Sequence, residues 1–246
     1  MAPGRRTHAR QGLLFGCVTL ALAIAACSSK GGSHGPGPDG GAFDGGFDAA
    51  PLVCPPAPLD EWVPPAYHSA QAVQHACSTL MINDFYNSCL GPSSSSGACA
   101  QDWGAGEDVA HSVCQACLIT PSTSTTWGPL VNYGSAGGTG TVSVNVAGCV
   151  ELLDASKQSC AASVQLADEC QHEACDATCP VTDATAFANW QQCIGAASQT
   201  SCLGYLTSAA CVNAEDAGPA ATCVTGADFE TEFIDIATVF CGGLGD

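Results

Sequence analysis

One short stretch in the second half of the chain groups side chains that could hold a metal ion. Its four members are spaced i, i+3, i+4 and i+7, so they share one face if the segment is helical. They are Glu169, His172, Glu173 and Asp176. Carboxylates together with an imidazole could bind a divalent cation. We favour an acidic face in contact with water over a metal site, since exposed helix faces normally carry charged residues.

Other patterns associated with catalysis are weak. Cys114 and Cys117 form a C-x-x-C pair, which can be redox-active when its first thiolate lies at a helix N-terminus. This pair lies near the C-terminal end of a predicted helix, where the helix dipole disfavours a thiolate. We therefore favour two structural cysteines with different partners. The nucleophile elbow, the phosphate loop and the zinc-protease motif do not occur, so we expect no cofactor and favour a non-enzymatic role.

The cysteine content predicts a disulfide framework. Of 18 cysteines, Cys17 and Cys27 belong to the N-terminal leader considered below. The remaining sixteen are Cys54, Cys77, Cys89, Cys99, Cys114, Cys117, Cys149, Cys160, Cys170, Cys175, Cys179, Cys193, Cys202, Cys211, Cys223 and Cys241. An even number is typical of a protein in an oxidising compartment, and up to eight disulfides are expected. Their connectivity cannot be read from the spacing, and a metal held by some of the thiols is the alternative.

The first residues have the layout of a secretory signal. Arg5, Arg6 and Arg10 precede an apolar run from Leu13 to Ala26, which ends on small residues and Cys27. The run is short for a helix that spans a membrane. The segment Ile24-Ala25-Ala26-Cys27 resembles the lipobox of bacterial lipoproteins.

This resemblance implies that the leader is removed before Cys27 and that acyl chains are attached to the Cys27 sulfur and amine. The membrane would then be a partner of the protein through those chains. Ser28 follows the cysteine where Asp would favour retention at the inner membrane, so the resemblance implies the outer membrane as the destination.

The composition divides the chain into three parts. Residues 1–26 form the predicted leader, 27–51 a lipidated N-terminus with a Gly/Pro/Ser/Asp linker, and 52–246 a cysteine-rich domain. After the leader, Lys30 and Lys157 stand against 23 acidic residues, which gives a net charge of −21. Nucleic acid is thereby excluded as a partner, whereas cations and basic proteins suit such a charge.

The sequence predicts a mainly α domain stapled by disulfides, with one small β-hairpin. Apolar periodicity and capping residues predict six helices. They cover 68–90, 107–118, 149–179, a segment that Asp183 caps, 202–214 and 225–242. Residues 125–146 are rich in Thr, Val and Gly and predict the hairpin, with a Gly-rich tip at 134–140.

Two further groups of titratable residues are expected in contact with water. They are the isolated histidines His68, His75 and His111, and a second acidic face formed by Asp228, Glu232 and Asp235.

Three functional hypotheses follow. The first is a non-enzymatic lipoprotein that binds a partner or builds the envelope. The second is an exported enzyme whose site lies near the 125–146 hairpin, because long Gly-rich loops can carry function. The third is a module that binds a divalent cation on the 169–176 face.

Overall fold

The computed structural model describes residues 52–94, 96–104, 109–134, 140–215 and 218–243. The predicted leader, the lipid-attachment residue Cys27 and the linker to residue 51 lie outside the described residues.

Helices dominate the described part of the chain, as predicted. The eight α-helices of this part are α1 Thr79–Phe85, α2 Ser96–Asp102, α3 Val109–Leu118, α4 Val146–Leu153, α5 Gln158–Cys175, α6 Ala184–Gln199, α7 Leu203–Ala209 and α8 Phe229–Cys241. A π-helical turn, Tyr86–Leu90, continues α1, and short 3₁₀ turns follow α4 and α7. The mainly α, disulfide-stapled fold class is confirmed.

Five short strands form two small sheets beside the helices. They are β1 Ser69–Ala70, β2 Ile119–Pro121, β3 Thr126–Trp127, β4 Leu130–Gly134 and β5 Thr141–Val144. β1 pairs with β3 in parallel, and β4 lies between β2 and β5. β4 and β5 are antiparallel, with Leu130 opposite Val144, which confirms the predicted hairpin. The central part of its tip, 135–139, is not among the described residues.

The first and third predicted helices have wrong boundaries, each for a local reason. The helix expected over 68–90 begins only at Thr79, where the Ser78 hydroxyl accepts a hydrogen bond from the Met81 amide. The long helix expected over 149–179 is divided at Asp154, whose side chain accepts a hydrogen bond from the Ser156 amide. Asp side chains compete in this way for backbone donors, and the competition ends α4 before α5 begins.

Caps predicted from sequence are partly confirmed. The Asp183 side chain accepts hydrogen bonds from the amides of Thr185 and Ala186 at the start of α6, as expected. The last helix begins at Phe229 and not near Thr225, because Asp228 itself is the capping residue.

All sixteen predicted cysteines are paired. The disulfides are Cys54–Cys179, Cys77–Cys114, Cys89–Cys99, Cys117–Cys241, Cys149–Cys223, Cys160–Cys211, Cys170–Cys202 and Cys175–Cys193. Cys114 and Cys117 therefore have different partners, as expected for structural cysteines. So many disulfides indicate an extracellular or envelope location.

The apolar core has two parts. The larger one lies between α1, α3, α4 and α8, and it contains an apolar stripe of the last helix: Phe229, Phe233, Ile236 and Phe240. The smaller one surrounds Trp190 between α5 and α6 and is built mainly from cysteine and alanine. Such small side chains bury little area, so the disulfides contribute a large share of the local stability.

Helix α5 is the most strongly fixed element of the described fold. Cys160, Cys170 and Cys175 attach it to three later parts of the chain, and Cys179, just beyond its end, attaches Cys54. The side chains on α5 are therefore held on a rigid support.

Candidate functional site

An open cleft of about 400 Å³ lies where the hairpin, the second half of α5 and the segment 62–68 meet. α5 and its C-cap residue contribute the predicted cation-binding face: Glu169, His172 and Glu173 lie on the helix, and Asp176 is the C-cap. Rings form much of the remaining wall: Trp62, His68, Trp127 and Tyr133. The two regions that the sequence indicated separately, the 125–146 hairpin and the 169–176 face, thus meet in one site.

The four predicted residues do lie on one face, but the expectation that they contact water is wrong for two of them. Glu169 and His172 are only 7% and 4% exposed. Glu173 is exposed, and Asp176 is half-buried. The first two are buried because the hairpin and the segment 62–68 pack over α5.

Glu169 is a buried carboxyl with incomplete hydrogen bonding. Its Oε1 atom accepts a hydrogen bond from Gln165 Nε2 at 3.2 Å and lies 3.9 Å from His68 Nε2. Among the described residues, its Oε2 atom is the one buried side-chain oxygen or nitrogen without a hydrogen-bond partner. Burial disfavours the charged form and raises the pKa of Glu169 to about 7, and the neighbouring charge of Asp168 adds to the shift.

His172 lies between two carboxylates. Its Nδ1 atom is 3.0 Å from Asp176 Oδ2, and its Nε2 atom is 3.9 Å from Asp168 Oδ1. Burial alone would lower the pKa of His172. The hydrogen bond to Asp176 and the charges of Asp168, Asp176 and Glu169 outweigh that effect and raise the pKa. The imidazolium form is therefore favoured inside the fold.

Asp168 attaches the hairpin to α5. Its Oδ2 atom accepts a hydrogen bond from the Tyr133 hydroxyl at 2.7 Å, and its Oδ1 atom accepts one from Ser143 Oγ at 2.8 Å. Burial and the charge of Asp168 raise the pKa of Tyr133 well above its ordinary value, so this phenol remains a donor. Both strands of the hairpin are thus held by one carboxylate.

His68 was expected as an isolated surface residue, and this expectation is wrong. Its ring stacks on Trp127 with centroids 4.4 Å apart, and its Nδ1 atom lies 2.6 Å from the Ser124 carbonyl oxygen. His75 is exposed, as expected. His111 is half-buried, with its ring against Trp103.

The segment that carries Trp62 and His68 is fixed along α5. The disulfide Cys54–Cys179 holds its start, and the Ala57 amide donates to the Ala174 carbonyl oxygen at 2.8 Å. Trp62 packs its ring edge-to-face on Tyr205 with centroids 5.4 Å apart. This wall of the cleft is built by contacts between residues distant in sequence.

The second acidic face also differs from expectation. Glu232 is half-buried and lines a small cavity of about 40 Å³ beneath the hairpin, together with Asp168. Burial raises the pKa of Glu232 to about 7, and burial likewise raises the pKa of Asp235. Asp228 alone serves a conventional surface role, as the cap of α8.

The cleft suits positive charge. Lys157 is the one lysine or arginine among the described residues, and its Nζ atom pairs with Glu215 Oε1 at 2.6 Å, outside the cleft lining. No group of three or more His, Cys, Asp or Glu side chains in the described ranges is arranged to hold a metal ion.

Comparison with protein-family models, with curated proteins and with solved structures found no match. Within the described part of the chain, no helix is both long and apolar enough to span a membrane. The chemistry of the cleft therefore has to be interpreted from its own residues.

Several of these residues have no signal of their own in the sequence. Tyr133 and Trp127 fall inside the predicted hairpin, so the hairpin pattern indicates the region but not these side chains. Asp168 precedes the predicted acidic face by one residue, and His68 stands alone in the chain. Only the three-dimensional packing brings them together.

Proposed function

We propose that this protein is an exported bacterial lipoprotein whose cysteine-rich domain binds a positively charged ligand in the cleft. Its role is binding and not catalysis. The observation that carries the proposal is the Glu169 carboxyl, which is buried at the cleft with one oxygen that no described donor satisfies. A buried carboxylate without a partner is costly, and a bound cation offsets that cost.

The construction of the cleft supports a binding role. α5 carries three of the lining residues and is held by three disulfides, so its side chains need little ordering when a ligand arrives. The mature chain would carry two lysines against 23 acidic residues, and such a field attracts cations towards the protein.

The location of the protein is the second part of the proposal. Acyl chains on Cys27 anchor it, the Gly-rich linker extends the domain from the membrane, and Ser28 favours the outer membrane. The intact mass of membrane-extracted protein, alkylated without reduction, tests this part. We expect a mass that starts at Cys27, with acyl chains and without alkyl groups. A mass without lipid would contradict the anchor.

Thermal unfolding of the mature protein in different cations tests the binding role. We expect at least one organic or inorganic cation to raise the Tm more than NaCl of equal ionic strength does, because specific binding stabilises the folded state. Equal shifts for every cation would mean general screening of a highly charged chain, and the binding function would then be wrong.

One observation favours an alternative, an exported enzyme. The Glu169 carboxyl has a pKa of about 7 in an open cleft, and a group of that pKa can act as a general acid or base near neutral pH. Turnover of any substrate that Glu169→Gln abolishes, in a variant that still folds, would replace the binding role by this one.

A further inference from the structure

We infer that the ligand of the cleft carries an alkylammonium group, and that Glu169 provides the negative charge which this group neutralises. The inference rests on the proposed binding function and specifies the class of cation. Three features support it. Aromatic rings line the walls, the aspartate oxygens already accept hydrogen bonds, and the Glu169 carboxyl has an oxygen without a partner.

The walls of the cleft contain aromatic rings that are not fully covered. Trp62 and Tyr133 are both half-buried and both line the cleft, and one face of Tyr133 is already stacked on His172. The negative faces of such rings attract organic cations, and the carbon atoms of an alkylammonium pack against them. A small inorganic ion keeps its water and gains less from such walls.

The aspartate oxygens in and beside the cleft already have hydrogen-bond partners. Asp176 Oδ1 accepts a hydrogen bond from Trp190 Nε1 at 2.7 Å, and Asp176 Oδ2 lies 3.0 Å from His172 Nδ1. Asp168, which lies beside the cleft and not in its lining, accepts hydrogen bonds from the hairpin through both oxygens. A calcium ion takes six to eight oxygen ligands, so it would have to displace these donors.

The remaining carboxylates suit a cation of low charge. Glu173 is exposed, which leaves Glu169 as the one buried carboxyl at the cleft that lacks a full set of partners. Its Oε2 atom is covered, so the interaction we infer is between charges and needs no hydrogen bond to that oxygen. Charges interact strongly at such a site because the surroundings are less polarisable than water.

Two sources could supply this chemistry: a small free amine, or a lysine side chain of another protein. Isothermal titration of the mature, disulfide-intact protein at pH 8 and constant ionic strength separates them. The probes are n-butylammonium, a peptide with one lysine and blocked ends, calcium chloride, and n-butanol as the uncharged analogue of the amine.

We expect n-butylammonium, the lysine peptide or both to bind at one site, and n-butanol and calcium to bind more weakly than the ammonium probe. Glu169→Gln should weaken ammonium binding at least tenfold. Glu230→Gln is the matched control, because it removes the same charge from an exposed position on α8 outside the cleft, and it should change the affinity less than twofold. Trp62→Leu should also weaken binding at least tenfold, which tests the wall independently of the carboxyl.

The outcomes distinguish this inference from the proposed function. If calcium binds more tightly than the ammonium probes, the ligand class is wrong while the cation-binding function stands. If Glu169→Gln binds the ammonium probe as tightly as the unsubstituted protein, the assignment of Glu169 is wrong. If no cation binds, both the inference and the proposed function are wrong.

Discussion

The ring of Tyr133 on β4 lies face to face with the imidazole of His172 on α5, with centroids 3.5 Å apart and planes 10° from parallel. The Tyr133 hydroxyl donates to Asp168, one helical turn before His172. Tyr133 thus joins the hairpin to α5 in two ways: its ring stacks on His172, and its hydroxyl bonds to Asp168. This contact forms one wall of the cleft and covers His172.

Substitution at Tyr133 separates these two contributions. Tyr133→Phe keeps the ring and loses the hydrogen bond to Asp168, which should lower the free energy of unfolding by about 1–2 kcal/mol. Tyr133→Ala loses the ring as well and should cost about 2–4 kcal/mol. Urea unfolding with the disulfides intact measures both. Ser143→Ala, which removes the other donor to Asp168, is the control and should resemble Tyr133→Phe. Equal losses in the Phe and Ala variants would show that the stacking contributes nothing.

The disulfide Cys175–Cys193 joins α5 to α6, and Cys175 directly precedes Asp176, which lines the cleft. Replacing both cysteines by alanine should lower the free energy of unfolding by about 2–4 kcal/mol and weaken cation binding, because the end of α5 loses a constraint. Removal of Cys89–Cys99, which joins α2 to the turn after α1, is the control. It should destabilise the protein while leaving the affinity of the cleft unchanged. If the affinity is unchanged in both double variants, the Cys175–Cys193 disulfide has no role in holding the site.

Local patterns were sufficient to predict the fold class. The cysteine count, the apolar stripe of the last helix and the Thr/Val-rich hairpin all have signals within a few residues of each other. The boundaries at Ser78 and Asp154 were missed, because a side chain that competes for backbone donors ends a helix whose apolar spacing would allow it to continue. The pairing of the cysteines depends on packing between distant segments and had no local signal.

The site was predictable only in part. The spacing of Glu169, His172 and Asp176 placed them correctly on one face, yet composition alone indicated contact with water. Their burial depends on Tyr133 and His68, which approach from 36 and more than 100 residues away. The polar spacing of this helix face is typical of contact with water. The face lines a cleft because the hairpin and the segment 62–68 pack over it.

The protonation of His172 should stabilise the fold. Because the pKa of His172 is higher in the folded state than its ordinary value of 6.5, its contribution is complete below about pH 6.5 and is lost as the pH rises through the folded-state pKa. His172→Gln removes this contribution. The difference in unfolding free energy between the two proteins should therefore be larger at pH 6 than at pH 9, as urea unfolding would show. A difference that does not change with pH would mean that the pKa of His172 is the same in the folded and unfolded states.

Substitution of Glu169 should raise the stability of the fold, whereas substitution of His172 should lower it. Glu169 keeps its proton up to about pH 7 in the folded state and has an ordinary pKa of 4.5, so its titration reduces stability as the pH rises between these values. Glu169→Gln imitates the protonated form and should gain stability relative to the unsubstituted protein from pH 4.5 to 7. Glu232→Gln is a matched control outside the cleft lining, since the pKa of Glu232 is also about 7. It should show the same trend.

The two glutamates should differ in how they affect binding. Ionisation of Glu169 supplies the charge that attracts a cation, so the affinity of the unsubstituted protein for n-butylammonium should rise as the pH passes through 7. His68, His172 and Asp168 also face this carboxyl, and the lost protonation of His172 would add to the rise. Glu232→Gln should keep the pH dependence, whereas Glu169→Gln should lose most of it. Titration calorimetry at pH 6, 7 and 8 measures this rise. An undiminished rise in Glu169→Gln would mean that deprotonation of His172, and not of Glu169, controls the affinity.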